Sequence, residues 1–290
     1  MTSAVETATS SVEPGIYFGM SFDDYAAIDA VNQSLLNQFR KTPKHAEHYM
    51  KTGGKSTKAM EFGWLVHLAT FEPERFGSEI VTAPKLDKRT KKGKESWASF
   101  QEDHGDKTIV DAESFDKCSA ISGAVHGHES AHELLTGDGR NELTVVWDDS
   151  EHGVLCKGRL DRATSANGWP VVVDLKTARD ASPWGFQRSF HSYGYHVQGA
   201  HYLTGIEALY PTQPGNPYRR YIIIAVESEP PHAVAVYDVD DEALEQGAKD
   251  REKYIRQYKT CMATNRWPDW GPGALSLDLP PYAYKRWELD

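Results

Sequence analysis

The sequence predicts an α/β domain in which a mixed β-sheet is flanked by helices. Up to about residue 135 the apolar residues recur at helical spacing, whereas from residue 142 they recur at every second position, as in strands. The predicted order is helices, three strands, a helix, two strands and a last helix. This alternation favours a sheet covered by helices within one domain.

The predicted helices of the first half begin at residues that suit helix starts. Ser21 begins a capping-box-like pattern, and Ser34 opens the run LLNQF. Pro43 stands where a first helical turn tolerates proline. An apolar stripe predicts a helix over 57–71, and a longer helix is predicted over about 111–135.

Three successive strands are predicted from the stretches ELTVVWD, VLCKGRLDR and PVVVDLK. Asn167-Gly168, between the last two, is the dipeptide most favoured in a tight hairpin, because both residues take positive φ. With the turn centred there, Asp161 is expected directly opposite Asp174. Pro170 cannot donate to the ladder, so it can shift this register by a residue or two.

The second half continues with a helix from about Trp184 to Ala208. Strands are predicted at 221–226 and 233–239, on either side of a Pro230-Pro231 turn. Asp240 can cap a last helix that runs to about Met262.

The chain is expected to comprise a disordered lead at 1–13, one domain at 14–264 and a tail rich in Trp, Pro and Tyr at 265–290. The lead lacks the pattern of a secretory signal, and no apolar stretch is long enough for a membrane span. Three cysteines lie far apart, without the spacing of a disulfide framework or a zinc site. These features predict a cytoplasmic protein that stays out of the membrane.

The charge distribution restricts how the chain could bind nucleic acid. A net charge of −10 argues against contact through bulk electrostatics, so any DNA contact must come from a local basic patch. Such a patch is the segment KLDKRTKKGK at 85–94, a predicted mobile loop. A solvated surface turn is the alternative interpretation. Its basic residues are Lys85, Lys88, Arg89, Lys91, Lys92 and Lys94.

The strongest chemical signal is the pair of acids with a lysine beside them. Directly opposed side chains have Cβ atoms only ~5 Å apart, and like charges there destabilise a sheet. A bridging divalent cation removes that cost, and hard oxygen ligands favour magnesium or manganese over zinc. Lys176 projects from the same face as Asp174, because strand side chains repeat every two positions. Alternatively, Asp161 and Asp174 are solvated acids that end strands.

This set suits phosphodiester hydrolysis. A metal ion polarises the phosphoryl group and activates a water, while a lysine orients that water or neutralises developing charge.

His67 is a candidate ligand on the helix over 57–71, on one face with Met60, Gly63, Trp64 and Phe71. Gly63 is expected to let another backbone come close. The alternative is a histidine satisfied within the core.

Tyr195, Gln198 and Tyr202 fall at i, i+3 and i+7 of the predicted 184–208 helix, hence on one face. The glutamine amide could hold a water or a phosphate oxygen, and a tyrosine could stack or donate a hydrogen bond. An ordinary aromatic seam is the alternative.

Taken in order, these motifs resemble the nuclease domain of RecE-type exonucleases (exonuclease VIII), in the RecB-like part of the PD-(D/E)XK superfamily. The resemblance covers nearly the whole chain, although Leu160 stands where the motif has proline. The stretches that carry it are GIYFGMSFDDY, SLLNQFRKTPKHAEHY, GWLVHLATFEPERF, GRLDRA, VVVDLKT, YHVQGAHY and RWP.

The resemblance implies a PD-(D/E)XK core and a role for each matching residue. His67, Asp161 and Asp174 would be ligands of Mg²⁺, with Mn²⁺ as a substitute, and Lys176 the catalytic lysine. Gln198 and Tyr202 would form a further catalytic element, and Glu142 matches an acid that is often found in RecB-like nucleases.

The activity implied is 5′ to 3′ exonucleolysis of double-stranded DNA ends. It would leave 3′ single-stranded tails for a strand-annealing protein in phage-type recombination and repair, and the resemblance also implies a ring-shaped homo-oligomer. Two alternatives remain open at this point: a structure-specific or restriction-type endonuclease with the same site, and a non-catalytic DNA- or protein-binding module on a nuclease-like fold.

Overall fold

A computed structural model describes residues 12–166, 169–209 and 220–280. Most of the predicted lead, the Asn167-Gly168 turn and the last ten residues of the predicted tail lie outside the described residues. None of the helices in the described part is both long and apolar enough to span a bilayer.

Eight strands and eleven helices make up the described fold. The strands are β1 Gly15–Tyr17, β2 Ile80–Thr82, β3 Thr108–Val110, β4 Gly139–Asp149, β5 Val154–Ala166, β6 Trp169–Ala178, β7 Arg220–Glu227 and β8 Val234–Asp238. The helices are α1 Phe22–Ala27, α2 Gln33–Phe39, α3 Pro43–Thr52, α4 Lys58–Phe71, α5 Pro73–Glu79, α6 Lys91–Asp103, α7 Ala112–Gly127, α8 Glu129–Thr136, α9 Pro183–Tyr193, α10 Tyr195–Leu209 and α11 Asp241–Thr264.

The predicted mixed sheet is confirmed as a six-stranded sheet in the order β1-β4-β5-β6-β7-β8. All neighbours are antiparallel except β6 and β7, which are parallel and are joined through α9 and α10. A separate parallel pair, β2 with β3, was not predicted from the sequence. Its two strands have three residues each, too few to show a period.

Helices cover both faces of the large sheet. On one face α2, α3, α9, α10 and α11 pack on residues such as Val172 and Ile223. On the other face α4, α5, α7 and α8 pack on residues such as Val173 and Ile224. Because neighbouring strand residues point to opposite faces, the apolar run of β6 serves both layers.

Three predicted helix bounds are wrong, each for a local reason. The predicted 111–135 helix is divided at His128, whose extended backbone ends α7 and whose side chain caps α8. The predicted 184–208 helix is divided at Gly194, which is left-handed at φ +72°. Asn32, rather than Ser34, caps α2, because its side chain accepts from the Leu35 N–H.

Helix α10 lies very close to the sheet, and glycines make this possible. A Cβ on Gly199 would lie 2.5 Å from the Tyr221 ring, and a Cβ on Gly205 would lie 2.7 Å from the Trp147 ring. These close contacts fix the position of α10 over β4 and β7, and with it the position of Gln198.

Candidate active site

The candidate site lies where β5 separates from β6. The predicted hairpin register is confirmed up to the pair Arg162↔Val173. The ladder ends there, so the directly opposed pair of Asp161 and Asp174 expected from the sequence is not formed. Instead of a backbone carbonyl, the side chain of Asp161 accepts a hydrogen bond from β6: its Oδ2 lies 2.8 Å from the Leu175 N–H.

The β4–β5 ladder is interrupted at the same level. It skips Glu142 and Asp161, which its register would otherwise pair. Glu142 has φ +52°, a left-handed conformation that costs a non-glycine residue about 1–2 kcal/mol. The strand also changes faces here: Leu160 lies in the core layer of α10, whereas Arg162 donates to the Leu134 carbonyl on the other face. Because of this interruption, the side chains of Glu142 and Asp161 do not follow the alternation of a regular strand between the two faces of the sheet.

His67 is fixed by the backbone of β6. Its Nε2 lies 2.7 Å from the Leu175 carbonyl oxygen, which can only accept, so Nε2 carries the proton. Nδ1 lies 3.4 Å from Asp161 Oδ2. Burial and then the charge of Lys176 lower the pKa of His67, which favours the neutral ring. Nδ1 therefore presents a lone pair to a carboxylate oxygen, an arrangement that a cation between the two would stabilise.

The helix face around His67 borders solvent on its N-terminal side and the core at Phe71. Met60 is 60% exposed and Trp64 is 46% exposed, which argues against a histidine enclosed by packing. The expected close approach of a backbone at Gly63 is wrong, because a Cβ there would meet only the Thr177 side chain, at 3.9 Å.

His67, Glu142 and Asp161 form a group that fits a divalent cation. One ligand atom from each lies within 4.8 Å of the others, and all three residues are half-buried. One imidazole nitrogen with two carboxylates can bind Mg²⁺, Mn²⁺ or an ion of the Zn²⁺ class. A ligating histidine usually donates its other N–H to a carboxylate or a backbone carbonyl, as His67 does here.

Asp174 lies beside this group with both oxygens engaged. Its side chain is fully buried, its Oδ1 accepts from Gln198 Nε2 at 2.9 Å, and its Oδ2 forms an ion pair with Lys176 Nζ. The structure thus brings Asp174 and Lys176 together as the alternation predicts. The described group of close ligand atoms does not include Asp174, and its predicted role as a ligand stays a prediction.

Of the three predicted α10 side chains, Gln198 and Tyr195 contact this ion pair, and Tyr202 contacts Gln198. Gln198 Nε2 lies 3.0 Å from the Tyr202 hydroxyl as well as contacting Asp174, and Lys176 Nζ lies 4.8 Å from the centre of the Tyr195 ring. The Nε2 group of Gln198 therefore orients Asp174, and the contact with a water or a phosphate oxygen suggested by the sequence stays a prediction.

The charges of the site shift its protonation equilibria. Burial and the neighbouring charge of Asp174 raise the pKa of Asp161 well above its usual range. For Lys176, burial opposes the charged form, but Asp174 and Asp161 outweigh it, so the pKa of Lys176 is raised. The lysine therefore stays charged at neutral pH, and a cation near Asp161 would relieve the repulsion between the acids.

The family model described as "PDDEXK-like domain of unknown function (DUF3799)" matches residues 32–274 of this sequence. The chain belongs to this PDDEXK-like family. No curated protein matches the sequence.

Among solved structures, the PDDEXK-like chain is similar to a candidate exonuclease from Eubacterium rectale. The TM-score is 0.59 at 14% identity, and the match covers 91% of this chain and 96% of that chain. SSO0001 (15% identity, 55% of this chain and 69% of that chain) has a TM-score of 0.28, too low to bear on the fold. The same holds for protein VC1899 from Vibrio cholerae, at 0.23 (13% identity, 81% of this chain and 60% of that chain). The nuclease-type fold predicted from the sequence is confirmed, while the specific resemblance to RecE-type enzymes stays a prediction.

The basic segment of this PDDEXK-like chain is partly helical, so the prediction of a mobile loop over all of 85–94 is wrong. Thr90 caps α6 by accepting from the Gly93 N–H, and a Cβ on Gly93 would collide with the Asp87 carbonyl. Lys88 Nζ lies 3.1 Å from the centre of the Trp97 ring. The six basic residues are exposed, and those in the first helical turn oppose the helix dipole, with Glu95 3.9 Å from Lys91 Nζ as an acid one turn further on.

Arg159 is a site residue that sequence reasoning missed. Its Nε donates to Glu142 Oε2 at 2.6 Å, and its Nη1 donates to the Met20 carbonyl at 2.8 Å. It stands two residues before Asp161 in the GRLDR motif. The two-residue period of a strand was therefore a signal that could have placed Arg159 near Asp161. Its guanidinium holds Glu142 in place beside His67 and Asp161.

Proposed function

We propose that this chain is a divalent-metal-dependent deoxyribonuclease that degrades duplex DNA from its ends in the 5′ to 3′ direction. The observation that carries the nuclease proposal is the convergence of His67, Glu142 and Asp161 beside the Asp174–Lys176 ion pair. The family supports the same class through its fold. The exonuclease mode and its polarity rest on the resemblance to RecE-type enzymes.

Each residue of the site has a proposed role. His67, Glu142 and Asp161 would hold Mg²⁺ or Mn²⁺, which supplies polarisation of a phosphate oxygen and acidification of water when bound. Asp174 is proposed as a further ligand, which would require it to release Gln198 or Lys176.

Lys176 is proposed to stabilise negative charge that develops on the attacked phosphate. Asp174 keeps its ammonium charged, and the face of the Tyr195 ring limits where the ammonium can lie. Gln198 and Tyr202 act one step further away, by orienting the Asp174 carboxylate.

The proposed assay uses linear duplex with one labelled 5′ end, the same duplex labelled at a 3′ end, and covalently closed circular DNA. With Mg²⁺ the 5′ label is expected to appear first in short products, the closed circle is expected to survive, and EDTA should stop the reaction. Cleavage of the closed circle would favour the endonuclease alternative. Absence of any metal-dependent product from all three substrates would favour the non-catalytic module.

The basic segment is proposed to follow the DNA backbone. Each phosphate neutralised contributes about −0.9 to the slope of log affinity against log salt. Replacement of Lys88, Arg89, Lys91 and Lys92 with alanine is therefore expected to flatten that slope by up to about 3 units, with cleavage of bound substrate near normal. Duplex binding with Ca²⁺ over a salt series measures this slope.

Exposed lysines elsewhere provide the control for that experiment. Alanine at Lys51 and Lys249 should leave the slope unchanged, and an unchanged slope in the quadruple variant would mean that the segment is a solvated surface turn. The 3′ tails would pass to a single-strand annealing protein, and a ring of several copies would place several basic segments around the duplex. Both are proposals from the resemblance.

A further inference from the structure

A second group of ligand atoms lies at the far end of β4, in the turn to β5. One ligand atom each from Glu151, His152 and Glu252 lies within 4.8 Å of the others. Glu252 belongs to α11, whereas the other two belong to the turn. Glu142 is seven residues before the end of β4, so at about 3.3 Å per residue the two groups are roughly 20 Å or more apart. This second group is thus separate from the candidate active site.

His152 is held by a buried carboxylate. Its side chain is 6% exposed, and its Nδ1 lies 2.8 Å from Asp149 Oδ1. The other oxygen of Asp149 forms an ion pair with the buried Arg251. A carboxylate in an ion pair with a guanidinium can only accept a hydrogen bond, so the proton of a neutral His152 resides on Nδ1, facing Asp149.

The remaining ring nitrogen of His152 is the unusual feature. Nε2 is buried and has no hydrogen-bond partner among the described residues, and Glu151 Oε1 lies 4.0 Å away. Both residues line a cleft of about 430 Å³ together with Arg256, Lys259 and Thr260. A buried nitrogen without a partner costs free energy unless a ligand satisfies it. The nearby carboxylates indicate that this ligand is a cation.

We propose that Glu151, His152 and Glu252 bind a divalent transition-metal ion of the Zn²⁺ class. An imidazole whose other N–H is donated to a carboxylate is the usual form of a metal-binding histidine. One nitrogen and two carboxylate oxygens suit such an ion and leave coordination positions for water. The ion would link the β4–β5 turn to α11.

Arg256 is the competitor for the same carboxylates. It forms an ion pair with Glu252, and its Nη2 lies 3.7 Å from Glu151 Oε1. Its side chain is 64% exposed, and exposed ion pairs of this kind are weak. The guanidinium can therefore move outward when an ion binds, as can the exposed Lys259.

The test counts Zn²⁺ ions by equilibrium dialysis of the full chain. Two ions per chain are expected for the wild type, one for the double variant Glu151→Gln/Glu252→Gln, and one for Asp161→Asn, which removes a ligand of the proposed catalytic site. The matched control, Glu245→Gln on an exposed face of α11, should still bind two. Loss of these ligands should weaken the second site by at least ~10-fold.

Two results would overturn the assignment. One is an unchanged count in the double variant, with its melting temperature in EDTA equal to that of the wild type. The other comes from Arg256→Gln, which should tighten this site about two- to fivefold, the strength of an exposed ion pair. Unchanged or weaker binding there would mean that the guanidinium and an ion do not share these carboxylates. Failure of the proposed catalytic site would look different, since the wild type would bind one ion that Asp161→Asn retains.

Discussion

Asp161→Asn is expected to reduce DNA cleavage by at least ~10²-fold, because it removes a charged ligand at the point where β4, β5 and β6 meet. The fold should survive, since the asparagine oxygen can still accept from the Leu175 N–H. The neutral side chain also removes the repulsion between the carboxylates of Asp161 and Asp174. Besides burial, this repulsion raises the pKa of the native Asp161 carboxyl. The melting temperature without metal should therefore be equal to or above that of the wild type.

The measurements are single-turnover cleavage of linear duplex over a Mn²⁺ series, and thermal unfolding in EDTA. Asp148→Asn, an exposed acid of the same strand as Glu142, is the matched control and should cleave like the wild type. Asp174→Asn is likewise expected to reduce cleavage by at least ~10²-fold. Near wild-type turnover in the Asp161 variant would contradict the site assignment, and a lowered melting temperature would mean that the carboxylate is needed for folding.

Lys176→Ala is expected to slow cleavage by roughly 10²-fold or more with little change in metal affinity, as when a positioned group that stabilises the transition state is removed. Asp174 keeps its hydrogen bond from Gln198 in this variant, so the carboxylate stays oriented. Lys176→Arg keeps the charge but replaces a compact ammonium with a planar group, and it should recover only part of the rate.

The pH profile gives a second measure of this lysine. A pKa raised in the folded protein means that the stabilising contribution of the Lys176 charge is fully present below the ordinary lysine range and is lost only as pH rises through the higher folded value. Between about pH 6 and 9 the wild type should therefore show no loss of activity from this group. If the Mn²⁺ affinity of Lys176→Ala falls as much as its rate, the lysine organises the metal site. Lys51→Ala, on the surface of α3, is the control.

Local patterns were sufficient for the five longer strands, β4 to β8, and for the register of the central hairpin up to the pair Arg162↔Val173. The Asn-Gly turn lies outside the described residues, yet the residue pairs between β5 and β6, the strands that flank it, follow the register that it predicts. Pro170 does not displace them. The side-by-side placement of Asp174 and Lys176 was also predictable, because the period of a strand is a property of the backbone alone.

The sequence was less informative about where helices are interrupted and about the shortest strands. The breaks at His128 and Gly194 depend on single backbone conformations within apolar stripes that continue through them. The short strands β1, β2 and β3 are too brief to show a period. The basic segment showed its charge but not the helix that begins within it, although Thr90 three residues before Gly93 was a possible capping signal.

The sequence by itself identified the candidate residues of this site apart from Arg159, since residue type and local period are enough to identify acids, a lysine and a glutamine on strands and a helix. Only the tertiary structure decided how they meet. Asp161 leaves the ladder and bonds to the Leu175 N–H, and His67 reaches the carbonyl of the same residue from 108 positions away. The left-handed Glu142 is held by Arg159 across two strands. Such contacts depend on how neighbouring strands separate and on where α4 packs on the sheet, and no local period encodes either.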